Sequence, residues 1–216
     1  MNFFKRKRYY LHQVVENNSD PISQRNNVRI LIIDDMEVPY LKNLRNSHFN
    51  VKHVKDIDSF DIVSKYDVII CDIKGVGISL APREQGIYII NQTSMLYPEK
   101  YIIAMSSGIY NMGILKRLDG ADKKIIRDTD PSKVLTEVTD AVNIMKSNKE
   151  RWLRLRNYLI EKEGMDLHDV WEIEQKFIES TIKKDQRIFS ESKIVKHSSD
   201  VLKGLLINFI TGMVIS

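Results

Sequence analysis

The sequence predicts an α/β unit of five strand–helix repeats over residues 28–147, an all-α module over 148–216, and a basic N-terminal arm over 1–27. Three observations carry this. From Val28 to about Ser147, short apolar runs alternate five times with helical periodicity, the pattern of a parallel sheet wrapped by helices. The first, third and fourth runs are nearly unbroken Val and Ile, which marks strands covered on both faces. Beyond Ser147 the periodicity is helical throughout.

The elements follow in order. Val28–Ile33 is the first strand, and a helix over 38–47 carries Pro39 in its first turn, where a missing N–H is harmless. Strands at Val51–Val54, Val68–Cys71, Tyr101–Met105 and Lys124–Arg127 alternate with helices over 58–66, 86–96, 109–118 and 131–147. The last of these helices opens at Asp130-Pro131, a capping residue followed by proline at the first helical position.

Composition narrows the class. With 216 residues, 43% hydrophobic and 29% charged, the chain is neither disordered nor collagenous, and one cysteine, Cys71, excludes an internal disulfide. A lone thiol inside a buried strand suits a reducing cytoplasm, the expected location. The net charge of +4 splits unevenly: five Lys/Arg against two acids in residues 1–27, sixteen against sixteen in 28–147, and twelve against eleven in 148–216. A DNA-binding output region usually has a positive balance, which the C-terminal third lacks; a DNA-binding regulator is therefore a secondary alternative. Lys5-Arg6-Lys7-Arg8 is followed by polar residues rather than an apolar core, so it reads as a solvated tail and not a secretory signal.

In open parallel sheets, function gathers at the carboxyl ends of the strands. Asp34-Asp35 follows the first strand, Asp72 the third, Ser106-Ser107 the fourth, and Arg127 closes the fifth. Three carboxylates converging from two strand ends repel one another unless a cation or proton is shared. Hard oxygen ligands of this kind suit Mg²⁺, which bridges to phosphate. Ser106 and Arg127 add a hydroxyl and a positive charge, completing a set suited to a phosphoryl group.

Over roughly 120 of the 216 residues the sequence resembles the receiver domain of two-component response regulators, with its flavodoxin-like (βα)5 fold. The resemblance rests on Ile32-Ile33-Asp34-Asp35, on Val68-Ile-Ile-Cys-Asp72, on Ile103-Ala-Met-Ser106-Ser107 and on Gly120-Ala121-Asp122, in that order. It implies Asp72 as phosphoacceptor, Asp34, Asp35 and Asp72 as ligands of Mg²⁺, Ser106 as the switch hydroxyl, and Arg127 as the cation that pairs with the phosphoryl group. It further implies a histidine kinase or phosphotransfer protein upstream and a shape change on the face of the fourth helix, fifth strand and fifth helix. Such proteins act as switches, and enzymatic action on a separate substrate is not expected.

Several residues depart from the family. Arg127-Asp128 stands where members carry lysine followed by proline, and guanidinium, though it binds phosphate bidentately, does not replace a compact ammonium in place. Lys124 stands where many members place a rotating Tyr or Phe. Lys74, two residues after the acceptor, either reaches the acidic pocket or points to solvent, and the loop from Asp72 to Gly86 is longer than the family norm. Gly75-Val-Gly77 lacks the Gly-Lys-Ser/Thr ending of a phosphate loop. Two readings of the pocket therefore stand: a phosphorylated receiver, or a pseudo-receiver scaffold that binds partners constitutively.

From Ser132 to Glu163 there is no Pro or Gly, and Val134, Val138, Ala141, Met145, Asn148, Trp152, Leu155 and Leu159 recur at heptad spacing. One rod of ~32 residues and ~48 Å could form a coiled-coil homodimer through 131–163, its register set by the single Asn. In the other reading, Val134–Met145 packs on its own sheet and Trp152–Leu159 begins a separate bundle. Further helices are expected over Leu167–Phe189, capped by Asp166, and over Ser192–Val214, with Val201, Leu205, Phe209 and Met213 beside Leu202, Leu206, Ile210 and Val214 on a wide apolar face for a core or a dimer. Residues 201–216, with Lys203 and Asn208, fall short of a membrane span. His168-Asp169 and His197 lack phosphotransfer spacing and read as helix-surface residues. The expectation is a receiver that controls a helical module binding a downstream protein or a second copy.

Overall fold

The computed structural model describes residues 7–16, 21–106, 108, 112–127 and 129–213; the expectations for Ser107, Asp128 and Val214 lie outside these residues. The chain divides into an α/β unit, Asn18–Ser147, and a helical unit formed by Met1–Asn17 with Asn148–Ser216.

In the α/β unit, β1 (Arg29–Ile33), β2 (Asn50–Val54), β3 (Val68–Asp72), β4 (Tyr101–Ser106) and β5 (Lys123–Ile126) form one sheet in the order β2-β1-β3-β4-β5, and every neighbouring pair is parallel. Helices α1 (Pro21–Asn27), α2 (Leu41–Asn46), α3 (Asp61–Ser64), α4 (Gly86–Leu96), α5 (Met112–Leu115) and α6 (Pro131–Met145) complete it. Strand alternation sorts the side chains into two cores. Ile30, Ile32, Val68, Ile70, Ile103 and Met105 pack with Val134, Val138, Ala141, Val142 and Met145 of α6. Leu31, Ile33, Ile69, Cys71, Ile102 and Ala104 pack with Ile87, Ile89 and Ile90 of α4. All five residues of the central strand β3 are buried, as a strand covered on both faces requires.

The rod does not form. Asp130 caps α6 by accepting from Ser132 N at 2.7 Å, and the helix stops at Met145. After Lys146 and Ser147, α7 (Asn148–Glu161) starts afresh. The seam residues are consumed internally: Val134, Val138, Ala141 and Met145 face the sheet, while Trp152, Leu155 and Leu159 are fully buried among the other helices of the helical unit. A coiled-coil dimer through 131–163 thus has no exposed seam.

The helical unit continues with α8 (Leu167–Lys183), α9 (Arg187–Ser190), α10 (Lys193–His197) and α11 (Asp200–Thr211). Gly164, at φ +60°, turns the chain between α7 and α8, and Asp166 accepts from His168 N at 2.7 Å to cap α8. The helix expected over Leu167–Phe189 ends at Lys183, and the left-handed conformation of Lys184 stops it there. The one expected over 192–214 is interrupted by Ser198 and Ser199, the latter capping α11. Val201 is accordingly exposed, whereas Leu205, Leu206, Phe209, Ile210 and Met213 are buried. Phe177 stacks on Trp152 with ring centroids 5.1 Å apart and contacts Phe209 at 5.5 Å, so an aromatic cluster forms the centre of this core.

Of the basic run read as a solvated tail, Lys7 and Arg8 are exposed and Lys5 and Arg6 lie outside the described residues, but the segment that follows is not solvated throughout. Tyr9 and Val14 are buried in the core of the helical unit, around a 3-10 turn at Leu11–Gln13. Among the described residues, no helix is long and apolar enough to cross a membrane.

Candidate functional site: an acidic pocket with a buried guanidinium

Four strand ends build the site. β1 runs directly into Asp34 and Asp35, β3 ends on Asp72, β4 on Ser106, and Arg127 follows β5. The Arg127 N–H donates to the Ser106 carbonyl at 2.7 Å, holding the two strand ends together. Oxygen atoms of Asp34, Asp35 and Asp72 lie within 4.8 Å of one another. Asp34 and Asp72 are buried, and Asp35 is exposed.

Each buried carboxylate is fixed by the backbone. Asp34 Oδ1 accepts from Met36 N at 2.9 Å, and Asp72 Oδ1 accepts from Ile73 N at 2.8 Å. Their other oxygens share one cation: Arg127 Nη2 donates to Asp34 Oδ2 at 2.6 Å and to Asp72 Oδ2 at 2.5 Å. The guanidinium is itself almost enclosed, its side chain 10% exposed. Burial opposes its charge, but the hydrogen bond to Asp34 and the charges of Asp72 and Asp34 outweigh that and hold Arg127 above its ordinary pKa. For Asp72 the balance goes the other way: burial, with the neighbouring charge of Asp34, lifts its carboxyl above the usual range despite Arg127.

The residues fit a divalent cation by charge. Three carboxylates and one guanidinium leave a residual charge of −2 when all are ionised, and Asp35 has no cation partner among the described residues. Their oxygen-only, closely spaced donors are of the kind Mg²⁺ prefers.

Two glycines make the geometry possible. A Cβ on Gly86, at the start of α4, would lie 1.8 Å from the Asp72 carbonyl oxygen, so only glycine lets the helix approach this strand end. Gly75, at φ +80°, passes beneath Asp35, whose carboxylate oxygen a Cβ would meet at 2.5 Å. The loop between these glycines is pinned by Asp56, which accepts from Gly77 N at 2.5 Å, and by Gln85, which accepts from Gly75 N at 3.0 Å.

Ser106 is buried at the rim, with Oγ accepting from Gly108 N at 3.3 Å. Lys74 is exposed and forms no ion pair with the three carboxylates, and Lys124 is half-buried. His168 stacks on Trp171, and His197 Nδ1 lies 2.7 Å from the Lys193 carbonyl oxygen; both are helix-surface residues far in sequence from the pocket.

Tyr40 is a residue that the motifs did not single out. It is 3% exposed, and its hydroxyl is buried with no hydrogen-bond partner among the described residues. Burial, then the charge of Asp34, pushes its pKa up. Its signal in the sequence is slight: the only aromatic side chain in the segment between β1 and α2.

A parallel five-stranded sheet in the order 2-1-3-4-5 is the doubly wound arrangement of the flavodoxin-like folds, with its functional rim at the carboxyl edge. The α/β unit has a flavodoxin-like fold. No family model and no curated protein matches the chain. Solved structures similar to it include response regulators. One from Thermotoga maritima is 16% identical, with 54% of this chain and 98% of that one covered at a TM-score of 0.44. A CheY-like receiver domain protein from Methanospirillum hungatei is 20% identical, with 54% and 94% covered at 0.43. A response regulator from Burkholderia pseudomallei, solved with a phosphorylated aspartic acid and a calcium ion, is 17% identical, with 76% and 91% covered at 0.41. The α/β unit is accompanied here by a unit that is helical apart from its turns and the N-terminal segment.

Proposed function

We propose that the chain is a response regulator of the two-component type, phosphorylated on Asp72 to switch the interactions of its helical unit. The observation that carries the reading is the pocket's charge: Arg127 satisfies Asp34 and Asp72 at 2.6 and 2.5 Å, yet the set retains −2. Asp34, Asp35 and Asp72 would hold Mg²⁺, which supplies the two missing positive charges.

The residues then have distinct tasks. Asp72 is the nucleophile: one carboxylate oxygen bonds to phosphorus as the bond from phosphorus to the donor's histidine nitrogen, or to the acyl oxygen of acetyl phosphate, breaks and leaves with its electron pair. Because Arg127 Nη2 sits on Asp72 Oδ2, the guanidinium must yield part of that contact and re-pair with the new phosphoryl oxygens. The modification adds about one unit of negative charge and three strong acceptors. Ser106, a buried hydroxyl that accepts from the neighbouring Gly108 N–H, lies on the adjacent strand end and would reorient towards them. Shifting a two-state equilibrium from 1:99 to 99:1 takes about 5.5 kcal/mol, within reach of several charge-assisted hydrogen bonds. A histidine kinase or phosphotransfer protein is the expected donor, and the chain acts as a switch rather than on a separate substrate.

One observation favours the pseudo-receiver alternative: Arg127 occupies the same Asp72 oxygen that is otherwise free to attack. Incubation with Mg²⁺ and acetyl phosphate separates the readings. A gain of one phosphoryl group in intact mass, absent in Asp72→Asn, supports the switch; an unchanged mass in the wild-type chain supports the scaffold.

A further inference from the structure

The segment that begins the described chain is bound to the helical unit as a peptide would be. The side-chain amide of Gln175, on α8, takes both backbone groups of Tyr9: Tyr9 N donates to Gln175 Oε1 at 2.7 Å, and Gln175 Nε2 donates to the Tyr9 carbonyl at 2.9 Å. Asn148 Nδ2 donates to the Val15 carbonyl at 3.0 Å. At the start of the fourteen-residue α7, the Glu16 carboxylate accepts from Asn148 N at 2.7 Å and from Lys149 N at 3.1 Å. Two side chains, Tyr9 and Val14, are buried on either side of the 3-10 turn at Leu11–Gln13, while Tyr10 and Val15 are exposed.

These contacts divide the labour found in peptide recognition. Backbone groups are read by polar side chains and give affinity, while pockets for spaced side chains give specificity. The site also extends beyond its occupant: a cavity of about 970 Å³ borders Lys7, Arg8 and Tyr9 and continues along Trp171, Gln175 and Ile188.

We propose that α7 and α8 form a peptide-binding groove, occupied in cis by residues 7–16, that takes a segment of a partner protein carrying an aromatic residue, an aliphatic residue five positions on across a single turn, and a carboxylate two positions after that. The spacing is that of Tyr9, Val14 and Glu16. Partner binding displaces the tethered segment, so loosening the segment strengthens binding in trans. This inference stands apart from the phosphorylation reading and uses no residue of the acidic pocket.

The test uses the full chain and a fluorescent peptide of residues 7–16, followed by anisotropy, with Tyr9→Ala and Glu16→Ala as separate segment-loosening variants. Both are expected to bind the peptide at least tenfold more tightly than the wild type. Adding Gln175→Ala to either removes that gain, and a peptide lacking the tyrosine and the glutamate fails to bind. Three results overturn the proposal: no gain in either variant while both melt cooperatively; loss of the cooperative melt in both, which makes the segment an integral part of the core; or sedimentation showing that the variants dimerise by exchanging the segment instead of accepting peptide.

Discussion

Arg127 Nη2 lies 2.5 Å from Asp72 Oδ2, so the phosphoacceptor candidate and the cation candidate of the pocket are in direct contact although 55 residues separate them. The same nitrogen reaches Asp34, which makes the guanidinium the bridge between two buried carboxylates. Arg127→Ala strands both of them. Breaking a buried pair costs about 3–5 kcal/mol. Urea unfolding is expected to show a loss of that order, recovered in part by millimolar Mg²⁺. Arg127→Lys keeps the charge but loses the planar fork that bridges two acceptors, and falls between the two.

The raised pKa of Asp72 sets the sign of a pH effect. A carboxyl whose folded pKa lies above its unfolded value favours folding while protonated, and that contribution is lost as pH rises through the folded pKa. Relative to Asp72→Asn, the wild type is therefore expected to lose stability from about pH 4 upward until Asp72 is fully ionised, and to remain level above that. Denaturant unfolding of both proteins across this range, without divalent ions, measures the difference. A wild-type chain that gains on the variant as pH rises contradicts the assignment.

Gly86→Ala puts a methyl group 1.8 Å from the Asp72 carbonyl oxygen, where backbone and not a flexible side chain must move. Overpacking of this kind typically costs about 1–3 kcal/mol. Because the displaced atom belongs to Asp72, the variant is expected also to slow labelling by acetyl phosphate. Slower labelling at 10 °C, where the variant is still folded, distinguishes displacement from unfolding.

In the helical unit, Trp152 is fully buried, stacks on Phe177, and donates Nε1–H to Glu174 Oε2 at 2.8 Å. Trp152→Ala is expected to destabilise this unit by about 3–5 kcal/mol. Trp152→Phe, which loses the hydrogen bond but keeps a ring, costs less. Melting followed by near-ultraviolet circular dichroism reads both.

The sequence made the sheet legible because its central strands are buried on both faces. Val68–Cys71 and Tyr101–Met105 fall inside β3 and β4, each extended by one residue at the rim. The edge strand β2 begins one residue before its expected start, at the exposed Asn50. β5 is shifted by one residue, Lys123–Ile126 in place of 124–127, since its short ladder has Ile125 as its one buried side chain. The helices over 38–47 and 58–66 were expected too long: only Leu41–Asn46 and Asp61–Ser64 are helical. Asp34, Asp35, Asp72, Ser106 and Arg127 could be placed at the rim from strand ends alone, but the pairing of Arg127 with Asp34 and Asp72 depends on a side-chain path that no spacing encodes.

The helix break was hidden for a physical reason. A heptad stripe runs unbroken from Val134 to Leu159 because two successive helices each present one face to their own core. No Pro or Gly marks the stop at Met145. The new start is capped instead by Glu16, 132 residues away in sequence, and Asn148, which looked like a buried coiled-coil polar residue, bonds to Val15.

The claim on which the functional account rests is that the pocket, even with Arg127 in place, retains a charge of −2 that a divalent ion balances. Calorimetric titration of Mg²⁺ into the chain at pH 7 tests it directly. One saturable site is predicted, lost in Asp34→Asn and weakened at least tenfold in Asp35→Asn. Absence of any saturable heat in the wild type, or a site indifferent to both substitutions, would contradict it.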